Sequence, residues 1–195
     1  LLDALFLITG SFNIVILRIV STFFGLGSLY LIYLIAKSYW GKPVGLAILF
    51  FGALFPVAVF NDTTGSLEPI GVFLLLLGVY LLRVRPLLAG VAWALACMVR
   101  AEAWLFSLGL VISLFFKKLG FDKKILTFIG WVITLFFYMK YLLDHTGNAI
   151  YPVYWNFLAN ALGVWAKGTD PISAYQFMIR PYLIFGAFVS LMAIV

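Results

Sequence analysis

Charge is what this sequence has least of. Asp and Glu number seven and Lys and Arg 13 in 195 residues, about one residue in ten, where soluble domains carry about a quarter. A water-soluble fold of this composition would expose large apolar patches, and a separate soluble domain has no stretch to occupy. Cysteine is nearly absent. Cys97 alone excludes an internal disulfide framework, and its place in an apolar run makes it a buried, inert thiol. Histidine is represented only by His145, with no second His or Cys nearby, so no metal site is expected. The opening Leu1-Leu2-Asp3 has no initiator Met, basic n-region or small-residue cleavage site, which excludes a signal peptide. The chain stops inside the hydrophobic Leu191-Met192-Ala193-Ile194-Val195 and reads as a piece of a longer protein.

What is present is apolar: 65% hydrophobic and 18% aromatic residues, with a mean hydropathy of +1.15. The solvent for most of this surface is lipid. The length accommodates about six or seven crossing helices of roughly 20 residues. Hydrophobic runs fall at residues 14–36, 44–60, 67–82, 86–99, 103–116 and 125–143, with a seventh starting at Tyr182. They are continuously apolar rather than alternating, and an open sheet cannot satisfy its backbone in lipid. The expected fold class is all-α, a polytopic transmembrane helical bundle forming one domain over residues 1–195, with interfacial helices at 144–181.

The net charge of +6 does not point to nucleic acid, because the cations lie in pairs between apolar runs, as topology signals do. Alternating the loops across the membrane groups Lys37, Lys42, Arg83, Arg85, Lys117, Lys118, Lys123 and Lys124 on one side, eight of the 13 basic residues. That side is expected to be cytoplasmic. The other collects Asp3, Asp62, Glu68, Glu102, Asp144 and Asp170, all the acids except Asp122. Chemistry is therefore expected on the outer face of a multi-pass cell-membrane protein.

Residues 86–99 and 103–116 form two runs of about 21 Å each at 1.5 Å per residue, short of a hydrocarbon core of about 30 Å. One helix from Pro86 to Phe116 would span about 46 Å and send Arg85 and Lys117 to opposite sides. A re-entering pair with its tip at Arg100-Ala101-Glu102 keeps both on the basic side. Charges at such depth need a partner or a water-filled cavity. Residues at i and i+2 do not face each other on a helix, so if helical geometry persists Arg100 and Glu102 each need their own partner. An outer arginine in a low-dielectric pocket suits a phosphate, whereas the plain alternative is a structural ion pair or snorkelling.

The outer loop Asn61-Asp62-Thr63-Thr64-Gly65-Ser66-Leu67-Glu68-Pro69 supplies two further carboxylates. On its plain reading it is a helix start, with Ser66 as N-cap, Pro69 in the first turn and Glu68 at the positive dipole end. On the sharper one, Glu68 faces the same outer cavity as Arg100 and Glu102. The longest segment outside the spans, residues 144–181, carries Tyr151, Tyr154, Trp155, Trp165, Tyr175 and Asp170. Its aromatics fit an interfacial belt on helices lying flat, and rings of this kind also stack on sugars. His145 fits an interfacial structural role. Arg18 anchors a span end ahead of Gly25 and Gly27, whose small size permits close helix packing.

The order of these features resembles the lipid-linked-sugar glycosyltransferases of the GT-C superfamily, especially the dolichyl-phosphate-mannose mannosyltransferase-like and related prokaryotic members. The resemblance is carried in series over residues 12–155. After Arg18, Leu34-Ile35-Ala36-Lys37-Ser38-Tyr39-Trp40-Gly41 resembles the span-ending LAK-x-x-x-G, and Ser66-Leu67-Glu68-Pro69 the outer S-x-E-P. Leu88-Ala89-Gly90 then opens a short helix ending in Arg100-Ala101-Glu102-Ala103, like the R-x-E-x tip. Thr146-Gly147-Asn148-Ala149-Ile150-Tyr151-Pro152 resembles TG-x-P-L-Y, with Ala149 in place of the proline. The resemblance implies inverting transfer of a sugar from a polyprenyl-phosphate or dolichyl-phosphate donor to a protein, lipid or glycan acceptor on the outer face, without a cofactor. It implies Arg100 on the donor phosphate, with Glu68, Glu102, Asp62 and Tyr151 supporting the site or binding sugar. The family's base, an Asp just after the first span, has no matching motif around Asp3, so the base is expected upstream of this chain. Two other classes stay open: a transporter or lipid flippase, for which no internal repeat is found, and a non-catalytic membrane scaffold.

Overall fold

The computed structural model describes residues 14–161, and every described element is an α-helix. Asp3, the segment starting at Tyr182 and the aromatic residues beyond 161 lie outside the described residues. The chain divides into two compact units, one ending at Tyr80 and one beginning at Leu81.

The first unit is built on α1, Ile14–Trp40, whose 27 residues make about 40 Å of helix. Its buried residues are Ser21, Gly25, Ser28, Leu31 and Ala36, all but Leu31 small enough to let neighbouring helices approach. A turn at Gly41, with φ of 88°, reverses the chain into α2, Lys42–Ala53. The hydrophobic run at 44–60 is not one straight helix. Pro56 lacks an N–H and drives the preceding residue out of the α region. Phe55 accordingly has φ −72° and ψ 112°, and the chain restarts as α3, Pro56–Thr64, bent 62° from α2. Asn61 to Thr64, expected in a loop, belong to this helix. Thr63 and Thr64 turn their hydroxyls back to the carbonyls of Val59, Phe60 and Asn61, and Gly65 in the left-handed region ends the helix. The last helix of this unit, α4, is Glu68–Leu81. Its Phe73 lies against Gly27 and meets Phe24 edge to face at 5.1 Å.

The second unit contains α5, Pro86–Val99, α6, Glu102–Phe116, α7, Phe121–Thr146, and α8, Tyr151–Ala161. Small residues govern α5: Ala89, Gly90, Ala92, Ala94, Ala96 and Cys97 are buried together with Trp93. Helix α7 packs on it in parallel, Thr127 and Gly130 beside Leu87 and Gly90 at one end and Leu135 beside Ala94 and Cys97 further along. The contact is reciprocal. A Cβ on Gly90 would collide with the Thr127 carbonyl oxygen, and one on Gly130 with that of Leu87.

Between them α6 runs back. Cys97 and Ser107, ten positions apart, would be about 15 Å apart along a continuous helix, yet Sγ and Oγ are 3.1 Å apart. The break at Arg100 and Ala101 therefore makes a helical hairpin, and its ends segregate the charges. Lys123 Nζ donates to the Arg83 carbonyl at 2.7 Å and Lys124 Nζ to that of Phe115 at 3.3 Å, so the start of α5, the end of α6 and the start of α7 share one end. Arg100 and Glu102 occupy the other end of the hairpin. Cys97 is buried as expected, its thiol also within reach of the Trp93 carbonyl.

Two helices, α1 and α7, are long and apolar enough to cross a membrane, and the bent pair α2 and α3 makes a third candidate. Helices α4, α5 and α6 are apolar but have only 14, 14 and 15 residues. Large hydrophobics such as Phe23, Phe51 and Phe137 are exposed, as expected of surfaces that meet acyl chains.

Because the atoms opposing a Gly90 side chain are backbone, rotamer changes cannot relieve the clash. Gly90→Ala should lower the unfolding free energy in detergent by about 1–3 kcal/mol. Gly120→Ser, at a helix N-cap with nothing within 4 Å of its Cβ position, should stay within about 0.5 kcal/mol of the wild type. Denaturant titration of both variants checks the contrast.

Candidate functional site

In the second unit the site residues gather where α5 stops. Arg100 is extended, with φ −141° and ψ 138°, while its N–H still donates to the Ala96 carbonyl. Helical geometry therefore does not persist, and the expectation of separate partners for Arg100 and Glu102 does not apply. The extended residue swings the guanidinium toward the first turn of α6. Nε donates to Glu102 Oε2 at 3.1 Å and Nη2 to Oε1 at 3.3 Å, the two-point contact that a planar fork makes with a carboxylate. Side-chain exposures of 39% and 42% mean this pair adds little stability in water. What the contact supplies is orientation.

A third residue joins them. Asn156 of α8 donates from Nδ2 to Glu102 Oε1 at 3.2 Å. Asn156 was not among the residues singled out from the sequence. The available signal was an amide among the aromatics of Tyr151-Pro152-Val153-Tyr154-Trp155. Tyr151 stacks on Trp155, one turn along, with centroids 6.3 Å apart and planes 7° from parallel, and both rings are exposed. Below the tip, Trp104 Nε1 donates to the Cys97 carbonyl at 3.0 Å and its ring lies 6.3 Å from that of Tyr138. These contacts fix the return of the chain into α6. The turn before α8 is explained by its own bonds: Gly147 closes α7 with φ of 72°, and the Asn148 side chain accepts the Ile150 N–H at 3.0 Å. His145 stacks on Tyr141, centroids 4.1 Å apart, with Nδ1 2.8 Å from the Tyr141 carbonyl, a structural arrangement.

In the first unit Asp62 and Glu68 line one cleft of about 230 Å³ with Gly25, Leu29, Phe55 and Val72. Two hydroxyls of α1 hold the end of α3 in place: Ser21 Oγ donates to the Asn61 carbonyl at 3.1 Å and Thr22 Oγ1 to that of Asp62 at 2.9 Å. Helix-end carbonyls without intrahelical partners are satisfied in this way. The Asp62 carboxylate packs directly on Gly25, where any side chain would displace it. Ser66 does not serve as the expected N-cap. Its hydroxyl is turned back to the Asn61 carbonyl at 3.1 Å, and Leu67 supplies the first helical carbonyl, to Gly71. Glu68 does start the helix, with Pro69 second, as the plain reading required. Among the described residues no group of three or more His, Cys, Asp and Glu could hold a metal ion.

The chain thus carries two constellations, each described within its own unit: an arginine held by a carboxylate that an amide ties to a helix with stacked aromatics, and a mainly apolar cleft with two carboxylates. Comparison with family models, with curated proteins and with solved structures gives no match.

A double-mutant cycle on Arg100→Ala and Glu102→Ala should give a coupling below about 1 kcal/mol, as for exposed ion pairs, when unfolding is followed in detergent. Asn156→Ala alone should cost no more than about 1 kcal/mol. A coupling of several kcal/mol would mean that the pair stabilises the fold rather than orients a group.

Proposed function

We propose that this chain is the core of an integral-membrane, inverting glycosyltransferase that moves a sugar from a polyprenyl-phosphate donor to an acceptor on the extracytoplasmic face. The observation that carries the reading is the Arg100 guanidinium, set at a helix break and held by Glu102, which Asn156 ties to the helix carrying the exposed Tyr151 and Trp155 rings. The resemblance to GT-C enzymes in the order of the motifs supports it as well. On this reading the six or seven apolar segments all cross or enter the bilayer, and the basic end of the second unit faces the cytoplasm. The donor's tail stays among the acyl chains while its phosphate meets Arg100.

Transfer requires three things at once. The acceptor oxygen attacks the anomeric carbon, the bond from that carbon to the phosphate oxygen breaks with its electrons going to the phosphate, and a carboxylate takes the acceptor proton. Negative charge grows on the leaving phosphate, and a guanidinium held in place by Glu102 stabilises that charge with little reorganisation. Tyr151 offers a face for the sugar, and Glu68 and Asp62 are carboxylates able to accept from hydroxyls within the first unit's own cleft.

A second reading has an observation of its own. The bent pair α2 and α3, with Asp62 on its shorter arm, is the discontinuous-helix feature of transporters, and substrate-coupled ion flux in proteoliposomes would favour transport.

The decisive variant is Arg100→Ala in the full-length protein, reconstituted in liposomes with radiolabelled polyprenyl-phosphate sugar. Sugar transfer should fall by about 100-fold or more, the loss typical of removing a charge-stabilising donor, with membrane insertion unchanged. Near-normal turnover would contradict the phosphate role.

A further inference from the structure

The basic end of the second unit does more than orient the chain. Two stretches distant in sequence, residues 83–85 and 117–124, bring Arg83 and Arg85, Lys117 and Lys118, and Lys123 and Lys124 to one end of the α5, α6 and α7 bundle. Asp122 is the single acid among them, so six cations less one anion leave five net positive charges. All but Lys124 are exposed. Lys123 and Lys124 fix the loops by donating to the carbonyls of Arg83 and Phe115, so the cations stand on a tied framework and not on separate flexible linkers. Around them Val84, Phe115, Phe116 and Phe121 are 65–74% exposed. Large apolar side chains so exposed belong among acyl chains, which puts the adjoining cations at headgroup depth. Basic clusters at the end of a membrane helix attract acidic lipids.

We propose that this end is a binding site for the phosphate headgroup of an anionic phospholipid in the leaflet it faces. Lys117, Lys118 and Arg85 contact the headgroup, and Phe115, Phe116 and Phe121 flank its acyl chains. The site is independent of sugar transfer at the opposite end of the hairpin. A topology signal alone requires only an excess of cations, whereas the cross-ties between segments and the aromatic collar at the same level fit a lipid.

The test uses the full chain, stripped of lipid in maltoside micelles and titrated with phosphatidylglycerol or phosphatidylcholine of identical acyl chains. Bound lipid is counted by native mass spectrometry. Phosphatidylglycerol should bind at least roughly tenfold more tightly, and Arg85→Gln/Lys117→Gln/Lys118→Gln should bring it to the phosphatidylcholine level. The charge-preserving Arg85→Lys/Lys117→Arg/Lys118→Arg and the distant Lys140→Gln should retain the preference. On the unaltered chain, raising salt roughly tenfold should weaken phosphatidylglycerol binding and leave phosphatidylcholine unaffected, a readout that holds even if the triple variant fails to fold. Equal binding of the two lipids by the unaltered chain, a preference indifferent to salt, or a preference surviving the triple Gln substitution would overturn the site.

Discussion

Backbone contact between α5 and α7 at Gly90 and Gly130 is the constraint on which the second unit depends. Lipid offers helices no hydrophobic reason to associate, because acyl chains are as apolar as leucine. What remains is close packing, and close packing requires that nothing stand between two backbones. Each glycine faces a carbonyl of the other helix, and the alanines of α5 extend the same flat face toward Cys97 and Leu135. With α5 and α7 locked in parallel, the chain between them must run back, and the reversal falls at Arg100. In the first unit Gly25, Gly27, Gly45 and Gly52 instead make room for side chains, those of Asp62, Phe73, Tyr33 and Leu29.

Polar chemistry is concentrated where helices break. A helix interior in lipid satisfies its own backbone and has no use for charge, whereas a break leaves carbonyls and N–H groups to be answered. At the end of α3 the answer is hydroxyls from Ser21, Thr22, Thr64 and Ser66, and Asp62 and Glu68 sit on either side of that turn. At the end of α5 the Trp104 indole takes the Cys97 carbonyl, and Arg100 and Glu102 find each other across the extended residue. The two candidate constellations have one origin, chain reversals between apolar helices.

The helical class was legible because 65% apolar content in unbroken runs admits few alternatives. The separate short runs at 86–99 and 103–116 were legible too, since Arg85 and Lys117 cannot share a side if one helix joins them. The break at Pro56 was not drawn from the sequence, although proline's missing N–H marks it, because hydropathy runs straight through Phe55 and Pro56. Polar Asn61 to Thr64 looked like a loop because their side chains favour turns. Their hydroxyls instead bond back within the helix, which continues to its end at Gly65. The pairing of Arg100 with Glu102 turned on a single ψ angle, which spacing cannot supply, and Asn156 is joined to Glu102 across 54 positions, a separation no local pattern encodes.

On the proposed function, Arg100 meets a lipid-borne phosphate. Nitrogen-to-phosphorus dipolar dephasing, measured on guanidinium-labelled protein frozen in maltoside micelles where polyprenyl phosphate holds the only phosphorus, tests it most directly. Dephasing of the Arg100 signal is expected at a separation set by a direct N–H to phosphate hydrogen bond, lost in Arg100→Lys. Dephasing confined to Arg83 or Arg85, or the absence of any, would contradict it.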